Sequence, residues 1–250
     1  MTHFKKIMAV MLAFVAIMSF IPAKVFAAGA PYKGWYNAGT KANPVWRYYD
    51  RGVCLKSRWV KDGGKWYFVD NKGTMVSNTS GVIDGKVYLF GQSGAMVTKT
   101  GWSSIRFKGA YENQYKTVWF YIKSGGVCTT GWKKISGKWY YFAPVKRAAG
   151  DYYYRFYGMS VDGVAPISGT IYAFGNDGAL VSKTGWFSKK SGEYTYWYYV
   201  KKGGIAVTGW KKISGKWYYF DMYGLMLYST NVMLDGKVYK FDKNGVCLNP

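Results

Sequence analysis

The thirteen residues TGWKKISGKWYYF stand at 130–142 and again, without a change, at 208–220. Ser136-Gly137 and Ser214-Gly215 are two-residue turn sequences with aromatic and β-branched residues on either side, the pattern of a β-hairpin. Along Trp139-Tyr140-Tyr141-Phe142, successive side chains of a strand point to opposite faces. Trp139 and Tyr141 therefore share a first face, and Tyr140 and Phe142 a second. A lone hairpin is marginal in water, so this one needs neighbours to cover it.

The neighbours are copies. Aligned on Gly-x-Trp-Tyr-Tyr-Phe and the glycine that follows, the chain resolves into nine units, at about 34–56, 57–79, 80–99, 100–129, 130–159, 160–183, 184–207, 208–228 and 229–250. Hairpins stacked on one another bury a continuous core, which is how repeat arrays become stable. The twelve tryptophans fall into six pairs, 35/46, 59/66, 102/119, 132/139, 186/197 and 210/217, with spacings of 11, 7, 17, 7, 11 and 7. A long-turn pair, a short-turn pair and a unit without tryptophan thus recur as triplets, at about 34–99, 100–183 and 184–250. If each hairpin turns by a third of a revolution, two sides of the stack carry tryptophan and the third is bare. The expected fold is all-β: a solenoid of about nine stacked β-hairpins, roughly three per superhelical turn, in a single repeat domain over 28–250.

The two faces differ in constancy. The second face is apolar in nearly every unit, as at Tyr67/Val69, Tyr88/Phe90, Phe120/Ile122, Tyr172/Phe174, Tyr198/Val200, Tyr218/Phe220 and Tyr239/Phe241. A face that every repeat needs reads as core. The first face is doubly aromatic in six units but becomes Val87/Leu89, Ile171/Ala173 and Val238/Lys240 in the other three. Folding tolerates that loss, which points to the first-face aromatics as binding residues, with plain packing as the competing explanation.

Residues 1–27 read as a signal peptide: Lys5 and Lys6 precede an apolar run from Ile7 to Ile21, and Val25-Phe26-Ala27 suits cleavage after Ala27. Export leaves 32 basic against 12 acidic side chains, a net charge of +20, which favours polyanionic partners such as teichoic acids or anionic glycans. Cys54, Cys128 and Cys247 occupy a Gly-x-Cys slot that other units fill with Met75, Met96, Leu180 and Met226. Cysteine there reads as an apolar filler, so three free thiols are expected rather than a disulfide framework.

With Thr-Gly-Trp-Lys-Lys-Ile-Ser-Gly-Lys-Trp-Tyr-Tyr-Phe followed by a Gly-x-Met/Leu/Cys turn, the chain resembles the cell-wall-binding repeat superfamily. That group includes the choline-binding repeats of Gram-positive surface proteins; glucan-binding repeats of glucosyltransferases and clostridial toxin repeats are related. The resemblance implies a left-handed solenoid with choline held between consecutive hairpins in a cage of aromatics, through attraction of a quaternary ammonium to ring faces. It implies sites at Trp35/Trp46 with Phe68, at Trp102/Trp119 with Tyr141, and at Trp186/Trp197 with Tyr219. Weaker sites are implied at Trp59/Trp66, Trp132/Trp139 and Trp210/Trp217, which lead into a unit lacking a first-face aromatic. Junctions leaving a bare unit are expected to be empty.

The expected function is an exported, non-catalytic module attached non-covalently to a cell-wall polymer such as a choline-bearing teichoic acid, with Lys133, Lys134, Lys211 and Lys212 available to its phosphates. The alternative is a glycan- or α-glucan-binding or host-adhesion protein that stacks sugars on the tryptophans. No cofactor or metal is expected, because His3, the only histidine, lies in the signal, and Glu112 and Glu193 are the only glutamates. Single-stranded nucleic acid would suit interleaved lysine and aromatic residues, but export argues against it.

Overall fold

The computed structural model describes residues 29–108, 115–143, 159 and 163–250; the proposed signal with His3, and Glu112, lie outside the described residues. The described chain is all-β, with a single short 3-10 turn at Ser124–Gly126. Its nine antiparallel hairpins are numbered here in chain order. Hairpin 1 pairs Gly34–Asn37 with Trp46–Asp50, and hairpin 2 pairs Arg58–Asp62 with Lys65–Val69. Hairpins 3 and 4 pair Thr79–Ile83 with Lys86–Phe90 and Gly101–Lys108 with Tyr115–Ile122. Hairpins 5 and 6 pair Gly131–Ile135 with Lys138–Phe142 and Gly163–Ile167 with Thr170–Phe174. Hairpins 7, 8 and 9 pair Gly185–Ser191 with Tyr194–Lys201, Gly209–Ile213 with Lys216–Phe220, and Thr230–Leu234 with Lys237–Phe241. A first compact unit ends at Ser77 and holds hairpins 1 and 2; a second begins at Asn78 and holds hairpins 3 to 9.

The quoted stretch forms a tight hairpin because its turn has the required chemistry. Ser136 and Gly137 both take positive φ (47° and 81°), and Ser214 and Gly215 repeat this (46° and 81°). A two-residue turn with both central φ positive matches the natural twist of the flanking strands. Its register places Lys134 opposite Trp139 and Lys133 opposite Tyr140.

After each hairpin the chain turns through glycine and lays one apolar residue against the second strand. Met75 bridges Val69, Cys128 bridges Ile122, Met159 bridges Phe142, Met226 bridges Phe220 and Cys247 bridges Phe241. The same residue reaches the preceding hairpin. The N–H of Met75 donates to the Trp46 carbonyl (2.7 Å), that of Met159 to Trp119 (2.8 Å), and that of Met226 to Trp197 (2.9 Å). This slot thus ties each hairpin to the one before it. The glycine of the next turn then closes over it: a Cβ on Gly245, whose φ is +79°, would lie 2.5 Å from the Met226 sulfur. Only glycine fits there, by conformation and by space.

The core follows the second face. Phe90, Phe120, Phe142, Phe174 and Phe220 are fully buried, as are Val69, Ile122 and Val200 at the same place in their strands. Stacking sets the first face of one hairpin against the second face of the next. Where the first face carries no tryptophan, the junction closes: Val87 and Leu89 of hairpin 3 pack with Phe120, Ile122 and Cys128 of hairpin 4. Between hairpins 6 and 7 the closure goes further, because Ile205–Ala206 bridges both into one five-stranded sheet.

All three cysteines are free, with Cys128 and Cys247 buried and Cys54 half-buried. Burial pushes the Cys128 thiol up to about 12, against a smaller opposing pull from Lys123. It remains a protonated, apolar filler at physiological pH.

Candidate functional site

Where a first face does carry tryptophan, the junction stays open. Trp102 and Trp119 of hairpin 4 meet edge to face, with centroids 6.5 Å apart and planes at 82°. From hairpin 5, Tyr140 comes to 5.0 Å of Trp102 at 72°, and Phe142 to 5.8 Å. Trp102, Trp119, Tyr140 and the slot residue Met159 bound a cleft of about 360 Å³, with Asn176 and Asp177 of hairpin 6's following turn at its rim. Three rings at steep angles leave their faces turned inward, an arrangement suited to an organic cation.

The third triplet repeats this geometry. Trp186 and Trp197 lie 6.3 Å apart at 85°, and Tyr218 of hairpin 8 is 5.0 Å from Trp186. With Met226 they bound a cleft of about 510 Å³, which Lys243 and Glu193 also line. Burial raises the Tyr218 hydroxyl above its ordinary value, with Asp242 adding to the effect, so the ring stays neutral. In hairpins 1 and 2, Trp35 packs on Tyr48 (5.0 Å) and Tyr67 (5.1 Å). There the Trp35 indole N–H donates to Asp62 Oδ2 at 3.2 Å.

The ring that reaches across each junction is therefore Tyr67, Tyr140 or Tyr218, on the second face of the following hairpin. Phe68, Tyr141 and Tyr219, expected in that role, instead pack on a tryptophan of their own hairpin: Trp59 at 5.3 Å, Trp132 at 5.1 Å and Trp210 at 5.2 Å. The reason is the stacking sense, first face against second. The same geometry supplies a ring at junctions leading into bare hairpins, since Tyr172 lies 4.9 Å from Trp132 and Tyr239 lies 4.7 Å from Trp210. Met159 and Met226 also line their clefts, a role that nothing in an apolar filler slot announces.

The junctions nevertheless fall into two kinds. Trp102 and Trp186 are 40% and 41% exposed and tilt 39° and 42° from Phe142 and Phe220. Trp132 and Trp210 are half-buried and lie flatter, at 24° and 29° from Phe174 and Phe241. The strand tryptophans 46, 66, 119, 139, 197 and 217 are all exposed.

Charged groups serve the turns and rims. Asp70, Asp221 and Asp242 each accept two backbone N–H bonds, from residues two and four further on. Asp177 pairs with Lys138 at 2.8 Å, and that hydrogen bond holds its carboxyl below the usual carboxylate range. Both side chains are exposed, so the pair contributes little to stability. Among the described residues there is no cluster of three potential metal ligands, and no helix is long and apolar enough to cross a membrane.

Comparison with known proteins finds the same repeats. Residues 207–246 match the choline-binding repeat model, and residues 57–75 and 130–144 match the cell wall binding repeat model. The chain is 27% identical to Glucosyltransferase-S of Streptococcus mutans over 83% of its length and 18% of the relative's. It is 29% identical to Glucosyltransferase-I of Streptococcus downei over 77% of its length and 16% of the relative's. It thus spans less than a fifth of these curated relatives. Among solved structures it is similar to choline binding protein F from Streptococcus pneumoniae, with 26% identity, 86% of this chain and 64% of that one covered, and a TM-score of 0.40.

Proposed function

Because the chain belongs to the choline-binding, or cell-wall-binding, repeat family, we propose that it is an exported, non-catalytic module that attaches non-covalently to a cell-wall polymer through its aromatic cages. The observation that carries this reading is the cage of Trp102, Trp119, Tyr140 and Met159, repeated as Trp186, Trp197, Tyr218 and Met226. Three ring faces and a polarisable sulfur offer a quaternary ammonium a partly desolvated, electron-rich pocket. Residues 1–27 direct the chain out of the cell, where it is held at the wall, and 28–250 act as one repeat domain.

We read the hairpins as a solenoid with about three per turn. The turn after hairpin 6 borders the cage of hairpins 4 and 5, and the turn after hairpin 9 borders that of hairpins 7 and 8. A contact that skips one hairpin and meets the next but one is natural in a three-fold array. The bare hairpin of each triplet then contributes to the rim of the triplet's open cage.

The net charge of +20 without residues 1–27 disfavours a small free cation and favours a cation carried on an anionic polymer. Choline on a teichoic acid meets both conditions, with the ammonium in the cage and the phosphates near surface lysines. The second reading is α-glucan binding, favoured by the two glucosyltransferase relatives, with sugar rings stacked on the exposed tryptophan faces.

Retention of the exported chain on choline-bearing resin, compared with α-glucan and choline-free teichoic acid, separates the readings. The proposal predicts retention on the choline resin and elution by free choline. Retention on α-glucan alone supports the second reading, and retention on none contradicts both.

A further inference from the structure

The residue opposite the strand tryptophan changes with position in the triplet. In the first hairpins Trp46 faces Asn37, Trp119 faces Ser104 and Trp197 faces Ser188. In the second hairpins Trp66 faces Lys61, Trp139 faces Lys134 and Trp217 faces Lys212. Directly opposed side chains in an antiparallel pair start about 5 Å apart at Cβ, so a lysine there lies along the indole. The Lys61 ammonium is 5.6 Å from the centroid of Trp66, and that of Lys212 is 5.8 Å from Trp217. Both are within the range of a cation–π contact.

We propose that Lys61, Lys134 and Lys212 are resident cations, which occupy the tryptophan faces of each second hairpin and leave the first-hairpin cages as the exchangeable sites for a quaternary ammonium. The proposal rests on the aromatic-cage reading. An ammonium already over the ring uses the attraction a ligand would need, and it repels a second positive charge brought to the same place. Lys133 and Lys211, one residue earlier, face Tyr140 and Tyr218 on the opposite side of the strand and do not have this role. The flat stacking of Trp132 and Trp210 on the next hairpin closes the same junctions from within. Aromatic content alone would therefore overcount the sites: six tryptophan pairs supply three open cages.

The test is a choline titration of the full chain, followed by the indole N–H resonances of Trp197 and Trp217, each assigned by its loss on Trp→Val substitution. It is run on the native chain, Lys212→Ser, which copies Ser188 at the same register, and Lys212→Arg, which keeps the cation. Trp197 is expected to respond in all three. Trp217 is expected to stay silent in the native chain and in Lys212→Arg, and to respond in Lys212→Ser. Conversely, Ser188→Lys weakens choline binding at Trp197 by about two- to five-fold. The proposal is overturned if Trp217 responds in the native chain, or stays silent in Lys212→Ser while Trp197 responds. If neither tryptophan responds in any of these chains, the cage reading fails and the proposal falls with it.

Discussion

Phe220→Ala is expected to lower the unfolding free energy by about 3–5 kcal/mol, the usual cost of emptying an aromatic site in a packed core. Phe220 is completely buried and packs with Val207 and Met226, and its ring lies 6.0 Å from Trp186 of the preceding hairpin. Its backbone also bridges Met226, the slot residue bonded to the Trp197 carbonyl. The substitution therefore opens a void where two hairpins are joined, and backbone hydrogen bonds on both sides restrict collapse into it. In a linear array each repeat depends on its neighbours, so the loss should be concentrated around hairpins 7 to 9. Denaturant unfolding, with hydrogen exchange resolved along the chain, reads both the size and the place. A loss below about 1 kcal/mol would mean that the second face is not the core.

Trp197→Val is expected to do the opposite: to spare the fold and remove ligand binding at the third-triplet cage. Trp197 is 39% exposed, and its ring contact is to Trp186, another cage member. The three bare hairpins carry Val87, Ile171 and Val238 at this position and still form regular strand pairs. A partly desolvated cation–π contact is worth about 2 kcal/mol, so losing it weakens binding there by about 30-fold. The change in unfolding free energy should stay within about 1 kcal/mol, since a half-exposed side chain gives up only part of its burial. Titration with choline alongside thermal unfolding separates the two effects. A variant that unfolds early while binding normally would make Trp197 a packing residue.

These two outcomes rest on a division of faces legible in the sequence, because a strand alternates with period two and nine copies reveal which face each repeat keeps. The hairpins were equally legible from Ser136-Gly137 and its relatives, whose turn chemistry leaves little choice. The cage was legible only in part. Both tryptophans of each pair lie where the repeat places them, but Tyr140 rather than Tyr141 crosses the junction. Alternation within one strand cannot say which face of the next hairpin it meets; only the stacking sense can. Met159 and Met226 were hidden for another reason. Their slot also accepts Cys128, Leu180 and Cys247, so its residue type signals an apolar environment and not a cleft. The pairing of Lys212 with Trp217, by contrast, follows from the turn position alone once the hairpin register is counted.

The most direct measurement of the central claim is a crystal structure of the chain with choline bound. The cage account predicts ligand between Trp102, Trp119, Tyr140 and Met159, and between Trp186, Trp197, Tyr218 and Met226, with none over Trp139 or Trp217. Choline seated on the Tyr141 or Tyr219 face, or absent from both cages at saturating concentration, would contradict it.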